Sequence, residues 1–150
     1  MYNIKPSHRD ARSSVQIASS AISLNVDDVP ASATFLTSHF GFREAMSADG
    51  FVSLAHPDGP QVIFLRRGLE LLPEGFRDER AAGLILVFTV TDLPREHERL
   101  RAAGVPITMA PREEPWGERL FQVTDPNGVI IELVDWITTP GADEPADTHQ

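Results

Sequence analysis

Two alternating apolar segments stand out along the chain, each followed by an acid, a proline and a helix-like stretch. Ser23-Leu-Asn-Val-Asp-Asp-Val-Pro30 places an apolar side chain at every second position, as a half-buried strand does. Val87-Phe-Thr-Val-Thr-Asp-Leu-Pro94 repeats the pattern at an offset of 64 residues, Ser23 to Val87. Asp28 and Asp92 read as helix N-caps with proline in the first turn. The helices are expected over 31–40 and 95–103, each stopping at a glycine, Gly41 or Gly104, where a left-handed cap is wanted.

The repeat continues. His56-Pro-Asp-Gly-Pro-Gln-Val-Ile-Phe64 matches Asp125-Pro-Asn-Gly-Val-Ile-Ile-Glu-Leu133 at an offset of 69, so the second copy has gained five residues on the way. Pro-Asp-Gly and Pro-Asn-Gly are turn chemistry between strands. Each copy therefore reads βαβββ. The strands fall at 21–26, 42–47, 51–55 and 61–66, then at 84–90, 105–109, 119–124 and 129–136. Residues 67–83, with Pro73 and Gly75, read as one long connection with at most a helical turn. The expected fold class is α+β: two βαβββ repeats forming a curved mixed sheet. The body spans 20–138, preceded by an arm over 1–19 and followed by an acidic tail over 139–150 that reads as disordered.

Composition narrows the function. At 150 residues the chain is one domain's worth and can bury a core without staples. Its 13 basic and 22 acidic residues leave a net charge of −9, which repels phosphate and argues against nucleic acid as a partner. The absence of cysteine removes disulfides, thiolate metal sites and a thiol nucleophile. No apolar run approaches a membrane span, and 1–20 holds no continuous apolar core of a signal peptide. The expectation is a soluble, cytoplasmic protein with no membrane partner.

The segment Pro115-Trp-Gly-Glu-Arg-Leu-Phe-Gln-Val-Thr-Asp-Pro-Asn-Gly-Val-Ile-Ile-Glu-Leu133 carries the sharpest likeness to known proteins. Together with the two βαβββ copies it resembles the vicinal oxygen chelate superfamily, which includes glyoxalase I, extradiol dioxygenases, fosfomycin-resistance transferases and bleomycin-resistance proteins. The Pro-Trp-Gly and Asp-Pro-Asn-Gly punctuation resembles the bleomycin-resistance-like branch. The likeness implies a homodimer in which two chains complete two grooves. It also implies four ligand positions in the metal-dependent members, falling here on Ala21, Ile63, Ile85 and Glu132. Alanine and isoleucine offer no lone pair, and one carboxylate does not hold a divalent metal. None of the five histidines has a partner at metal-site spacing. Neither a metal nor another cofactor is expected.

Strand alternation sorts the remaining positions. Ile22, Leu24, Val26, Phe88, Val90, Phe121, Val123, Ile131 and Leu133 should meet the helices. The opposite face carries Ala21, Ser23, Asn25, Phe51, Ser53, Ile63, Ile85, Val87, Leu120, Gln122, Ile130 and Glu132, a mixed surface of the kind that lines a small-molecule groove. A filled barrel interior or a dimer contact has the same composition. Trp116, between Pro115 and Gly117, reads either as a flat lid over a planar ligand or as a contact with a second subunit. Trp136 reads as a core edge or dimer contact. Glu132 reads as a counter-charge for a cationic or donor ligand, as half of a salt bridge with Arg66 or Arg119, or as a remnant of a metal site.

The candidate ligand-binding set is thus Ser23, Asn25, Phe51, Ser53, Ile63, Ile85, Val87, Trp116, Leu120, Gln122 and Glu132, with no catalytic residue assigned. The function these residues favour is metal-independent binding of a small molecule, a planar or cationic antibiotic or related metabolite held by sequestration. The alternative is a metal-dependent lyase, isomerase or dioxygenase of the same superfamily, which needs ligands that the mapped positions lack. An interaction module with a self-filled groove is a third.

Overall fold

A computed structural model describes residues 14–137 of the chain. The tail over 139–150 and most of the N-terminal arm lie outside the described residues; Ser14–Ser20 have no regular secondary structure. The first copy comprises β1 (Ala21–Val26), α1 (Val29–His39), β2 (Arg43–Ala48), β3 (Phe51–Ala55) and β4 (Gln61–Arg66). The second comprises β5 (Ile85–Thr89), α2 (Leu93–Ala102), β6 (Ile107–Glu113), β7 (Glu118–Thr124) and β8 (Ile130–Trp136). Each copy makes its own four-stranded mixed sheet, ordered β1-β4-β3-β2 and β5-β8-β7-β6. The first and last strands of a copy pair in parallel and the other neighbours are antiparallel, while the helix crosses from the first strand to the second at the opposite edge of the sheet. The expected α+β repeat is therefore present, with its sheet divided in two.

The caps work as the punctuation implies. Asp28 Oδ1 accepts the Ala31 N–H at 3.2 Å and Asp92 Oδ1 accepts the Arg95 N–H at 3.2 Å. Both helices begin two residues earlier than expected, because Pro30 and Pro94 sit inside the first turn, where a missing N–H is harmless. Gly41 (φ 76°) and Gly104 (φ 82°) take the left-handed conformation just beyond the helices.

One strand is displaced from its expected place. The segment expected over 105–109 pairs instead over Ile107–Glu113. Val105 is spent on the core and Pro106 delays the ladder. The strand then continues through two register shifts and Pro111, which an edge position tolerates. The connection 67–83 contains hydrogen-bonded turns and no helix.

The core is one continuous cluster across both copies. Leu24, Val26, Phe121, Val123, Ile131 and Leu133 belong to it, with Ile22, Phe88 and Val90 packed against it, so the helix-facing assignments hold. The copies are also joined by a polar latch. The Asp125 carboxylate accepts the N–H groups of Asn127 (2.8 Å) and Val129 (2.9 Å) and the Ser32 hydroxyl of α1. The Asn127 amide donates to the Asp28 carbonyl and to Ser32 Oγ, both at 2.7 Å, and its Oδ1 accepts the Asp28 N–H at 3.0 Å. Buried polar groups fully paired in this way fix the angle between two packed units.

Candidate functional site

Each sheet has one face against its helix and one turned away. On the first sheet the outward positions run Ala21, Ser23 and Asn25 along β1, opposite Gln61, Ile63 and Leu65 on β4. Ser53 and Phe51 on β3 continue the rows beside Ile63 and Leu65. On the second sheet Ile85 and Val87 lie opposite Ile130 and Glu132, and Gln122 and Leu120 continue the rows beside Glu132 and Val134. The strands thus bring Ser23, Ser53 and Ile63 into one row, and Val87, Gln122 and Glu132 into its counterpart.

The two faces are unequally open. Ile85 and Val87 are 46% and 52% exposed, high for β-strand isoleucine and valine. Ser53 is buried, its hydroxyl taking a hydrogen bond from the Gln61 amide at 2.6 Å. Gln61, opposite Ala21, is a face residue that the candidate set omits. The signal was present, since it lies two residues before Ile63 on the same strand. Asn25 is buried under the 67–83 connection and its amide donates to the carbonyls of Phe76 (3.4 Å) and Glu79 (3.1 Å). Its side chain holds the connection in place and is spent on that role.

Glu132 is half-buried and accepts the Gln122 amide at 2.8 Å. Neither arginine considered as its partner reaches it. Arg66 pairs with Asp49 at 3.3 Å, and Arg119 grips Asp135 with Nε–Oδ1 at 2.8 Å. Strand alternation is the reason: Arg119 and Asp135 are cross-strand partners on the helix side of the sheet. There Asp135 also accepts the Leu93 N–H at the start of α2, at 2.9 Å. The hydrogen bond from Arg119, reinforced by that N–H and opposed by burial, holds the Asp135 carboxyl below the usual carboxylate range.

The tryptophans converge at one end of the second sheet. Trp116 lies in the turn between β6 and β7, is 64% exposed, and donates its indole N–H to Glu118 at 2.9 Å. Trp136 is the cross-strand partner of the same Glu118 and is also exposed. Gly117 (φ 98°) lets the turn close against Ile137, whose N–H bonds the Gly117 carbonyl at 2.8 Å. The outward face of the second sheet therefore presents an aliphatic strip, two carboxylates and two indoles.

The quartet that would hold a metal does not fit one. Ala21, Ile63 and Ile85 carry no donor atom, and Glu132 is already engaged by an amide donor. Among the described residues no three His, Asp or Glu side chains are grouped to hold an ion.

Two βαβββ units, each with one sheet face on its helix and one turned outward, define the fold class. The chain belongs to the Glyoxalase/Bleomycin resistance protein/Dioxygenase superfamily, whose family model matches residues 17–133. Its fold is similar to a glyoxalase/bleomycin resistance protein/dioxygenase from Nocardioides, at 22% identity over 85% of this chain and 88% of that one, TM-score 0.68. It is also similar to TioX from Micromonospora sp. ML1 (23% identity, 80% and 99% covered, TM-score 0.62). A third likeness is to a lactoylglutathione lyase from Agrobacterium tumefaciens (18% identity, 77% and 90% covered, TM-score 0.63). No curated protein matches the sequence. Among the described residues no helix is long and apolar enough to cross a membrane.

Proposed function

We propose that the protein binds a planar or cationic small molecule, an antibiotic or related metabolite, without a metal, in the manner of the bleomycin-resistance-like branch. The observation that carries this reading is the outward face of the second sheet. Ile85 and Val87 are exposed there, Glu118 and Glu132 supply negative charge, and Trp116 and Trp136 supply flat aromatic surface. Indole faces and carboxylates together favour a planar cation. Sequestration needs affinity and no catalytic group. The exposed aliphatic strip also needs a cover, and a second copy of the chain is the proposed one, so that each binding site is shared across a homodimer.

A thermal-shift panel tests the binding reading. One arm holds divalent metals and the other planar cations such as acridine and phenanthridinium dyes. A ligand at a hundred times its Kd stabilises by about 2.7 kcal/mol, several degrees for a domain of this size. The expected result is stabilisation by a planar cation, weakened in Trp116→Ala and Glu132→Gln, with none from metals. Metal stabilisation lost in Glu132→Gln would overturn it and restore the metal-dependent lyase, isomerase or dioxygenase. Light scattering at micromolar protein tests the dimer; a strict monomer would remove it.

A further inference from the structure

The repeat predicts two latches, and the structure closes one. By the offsets of 64 and 69, Ser32 corresponds to Glu96, Phe35 to Arg99, Asp125 to His56 and Asn127 to Asp58. The local turn geometry is preserved: His56 Nδ1 accepts the Asp58 N–H at 3.0 Å, as Asp125 Oδ1 accepts that of Asn127 at 2.8 Å. What is missing is the hydrogen bond from the helix to that turn; α2 instead reaches the other copy through Arg99, which donates to the His39 carbonyl at 2.9 Å. Ser32 reaches Asp125, whereas Glu96 is turned to its own helix neighbour Arg99, at 2.9 Å. The ion pair Glu96–Arg99 cannot be buried as Ser32 and Phe35 are, so α2 stands off from the turn at 56–60. A cleft of about 820 Å³ remains between them.

This cleft has a polar rim and an aromatic floor, with half-buried Phe40 and Phe88 in front of buried Phe42. Phe40, Phe42 and Phe88 line it together with His39 and His56. Phe88 contacts Phe40 and Phe42 with ring centres 5.7 and 5.8 Å apart, and His56 lies 5.0 Å from Phe42. Because His56 Nδ1 accepts a backbone proton, the neutral ring carries its own proton on Nε2. That atom adjoins the open surface at Gly41, where a Cβ would stand 3.4 Å from it. The rim does not suit an anion: Arg99 is committed to Glu96 and to the His39 carbonyl at 2.9 Å, and the Asp58 side chain adds a negative charge.

We infer that the unlatched cleft between α2 and the 56–60 turn is a second binding site, for a neutral planar aromatic molecule bearing a hydrogen-bond acceptor. The ring system packs against Phe40 and Phe88, and the acceptor takes the His56 Nε2 proton. Apart from Val87 and Thr89 of β5, which border both, the site is made of different residues from the outward sheet faces.

The test uses coumarin, a neutral bicycle with a carbonyl acceptor, titrated into the isotope-labelled full chain and followed by amide chemical shifts. Saturable shifts centred on Gly41, Phe42, Gly59 and Val90 are expected, with naphthalene, which lacks the acceptor, binding several-fold more weakly. The triple variant His56→Asp/Asp58→Asn/Glu96→Ser copies Asp125, Asn127 and Ser32 of the closed latch and should abolish the shifts. Ser38→Trp plugs the cleft from an exposed helix position, leaves the core alone, and should weaken binding about tenfold or more. Shifts centred on Ser23, Gln122 and Glu132, no saturation at the solubility limit, or wild-type affinity in either folded variant would overturn the inference.

Discussion

The two copies share a backbone plan and differ in what their helices bury. α1 buries Val29, Ser32, Ala33, Phe35 and Leu36; α2 buries Leu93 and Leu100, the counterparts of Val29 and Leu36. At the other three places α2 carries Glu96, His97 and Arg99. Two aliphatic anchors at the ends seat α2 on its sheet, helped by His97, whose ring meets Phe121 edge-on at 5.1 Å. The intermediate positions decide how tightly the helix meets the neighbouring copy. Small and aromatic residues let α1 close on the Asp-Pro-Asn-Gly turn. A charged pair keeps α2 off the equivalent Pro-Asp-Gly turn, because burying it would strip its water.

The comparison is most severely tested at its anchors. Leu36→Ala and Leu100→Ala should each cost about 3 kcal/mol in urea denaturation, within the usual range for a fully buried leucine. A near-neutral result at Leu100 alone would mean that α2 is not held as α1 is. Next comes the latch. Asp125→Ala leaves two backbone N–H groups and the Ser32 hydroxyl without their acceptor and should cost about 3 kcal/mol. His56→Ala, at the counterpart, should cost under about 1 kcal/mol, since the turn there is exposed.

A smaller difference lies in the ion pairs at the sheet ends. Asp135 and Arg119 correspond, by the offset of 69, to Arg66 and Gly50. In the second copy Asp135 is buried, pinned by Arg119 and by the Leu93 N–H. In the first, Arg66 lies over Gly50 and pairs with Asp49 at the surface. Asp135→Asn should cost about 2 kcal/mol, the scale of a hydrogen bond to a charged group, and Arg66→Gln no more than about 0.5. The pH dependence has a definite sign. The folded Asp135 carboxyl sits below its ordinary value, so the unfolded chain takes up the proton first. Its contribution is full above the unfolded value of about 4 and is lost as pH falls through the folded one. Acid titration of stability should therefore flatten in Asp135→Asn. The smallest effect is expected at Glu132→Gln, within about 0.5 kcal/mol of wild type, because the new amide oxygen still accepts from Gln122.

Much of this was legible in the residues. The Asp-Val-Pro and Asp-Leu-Pro starts, the glycine stops and the Pro-Asp-Gly and Pro-Asn-Gly turns are local chemistry. They located both helices and seven of the eight strands to within a residue or two. The exception, β6, failed where local signals conflict: Val105 alternates like a strand but is used by the core, and Pro111 sits where a central strand would forbid it. The candidate face was legible by alternation alone, which is why Val87, Gln122 and Glu132 do share a row. Alternation misjudged Asn25, since it says which side a residue faces and nothing of what lies above it.

The sequence by itself determined the repeat, the family and the poverty of metal donors at Ala21, Ile63 and Ile85, because each depends on residue type at a known register. Only the tertiary structure decided which partners the charges chose. Arg119 went to Asp135 rather than Glu132, Ser32 found Asp125 across 93 residues of chain, and Glu96 turned to Arg99 instead of bridging the copies. A partner is set by distance and burial after folding, and positions far apart in the chain carry no record of that distance.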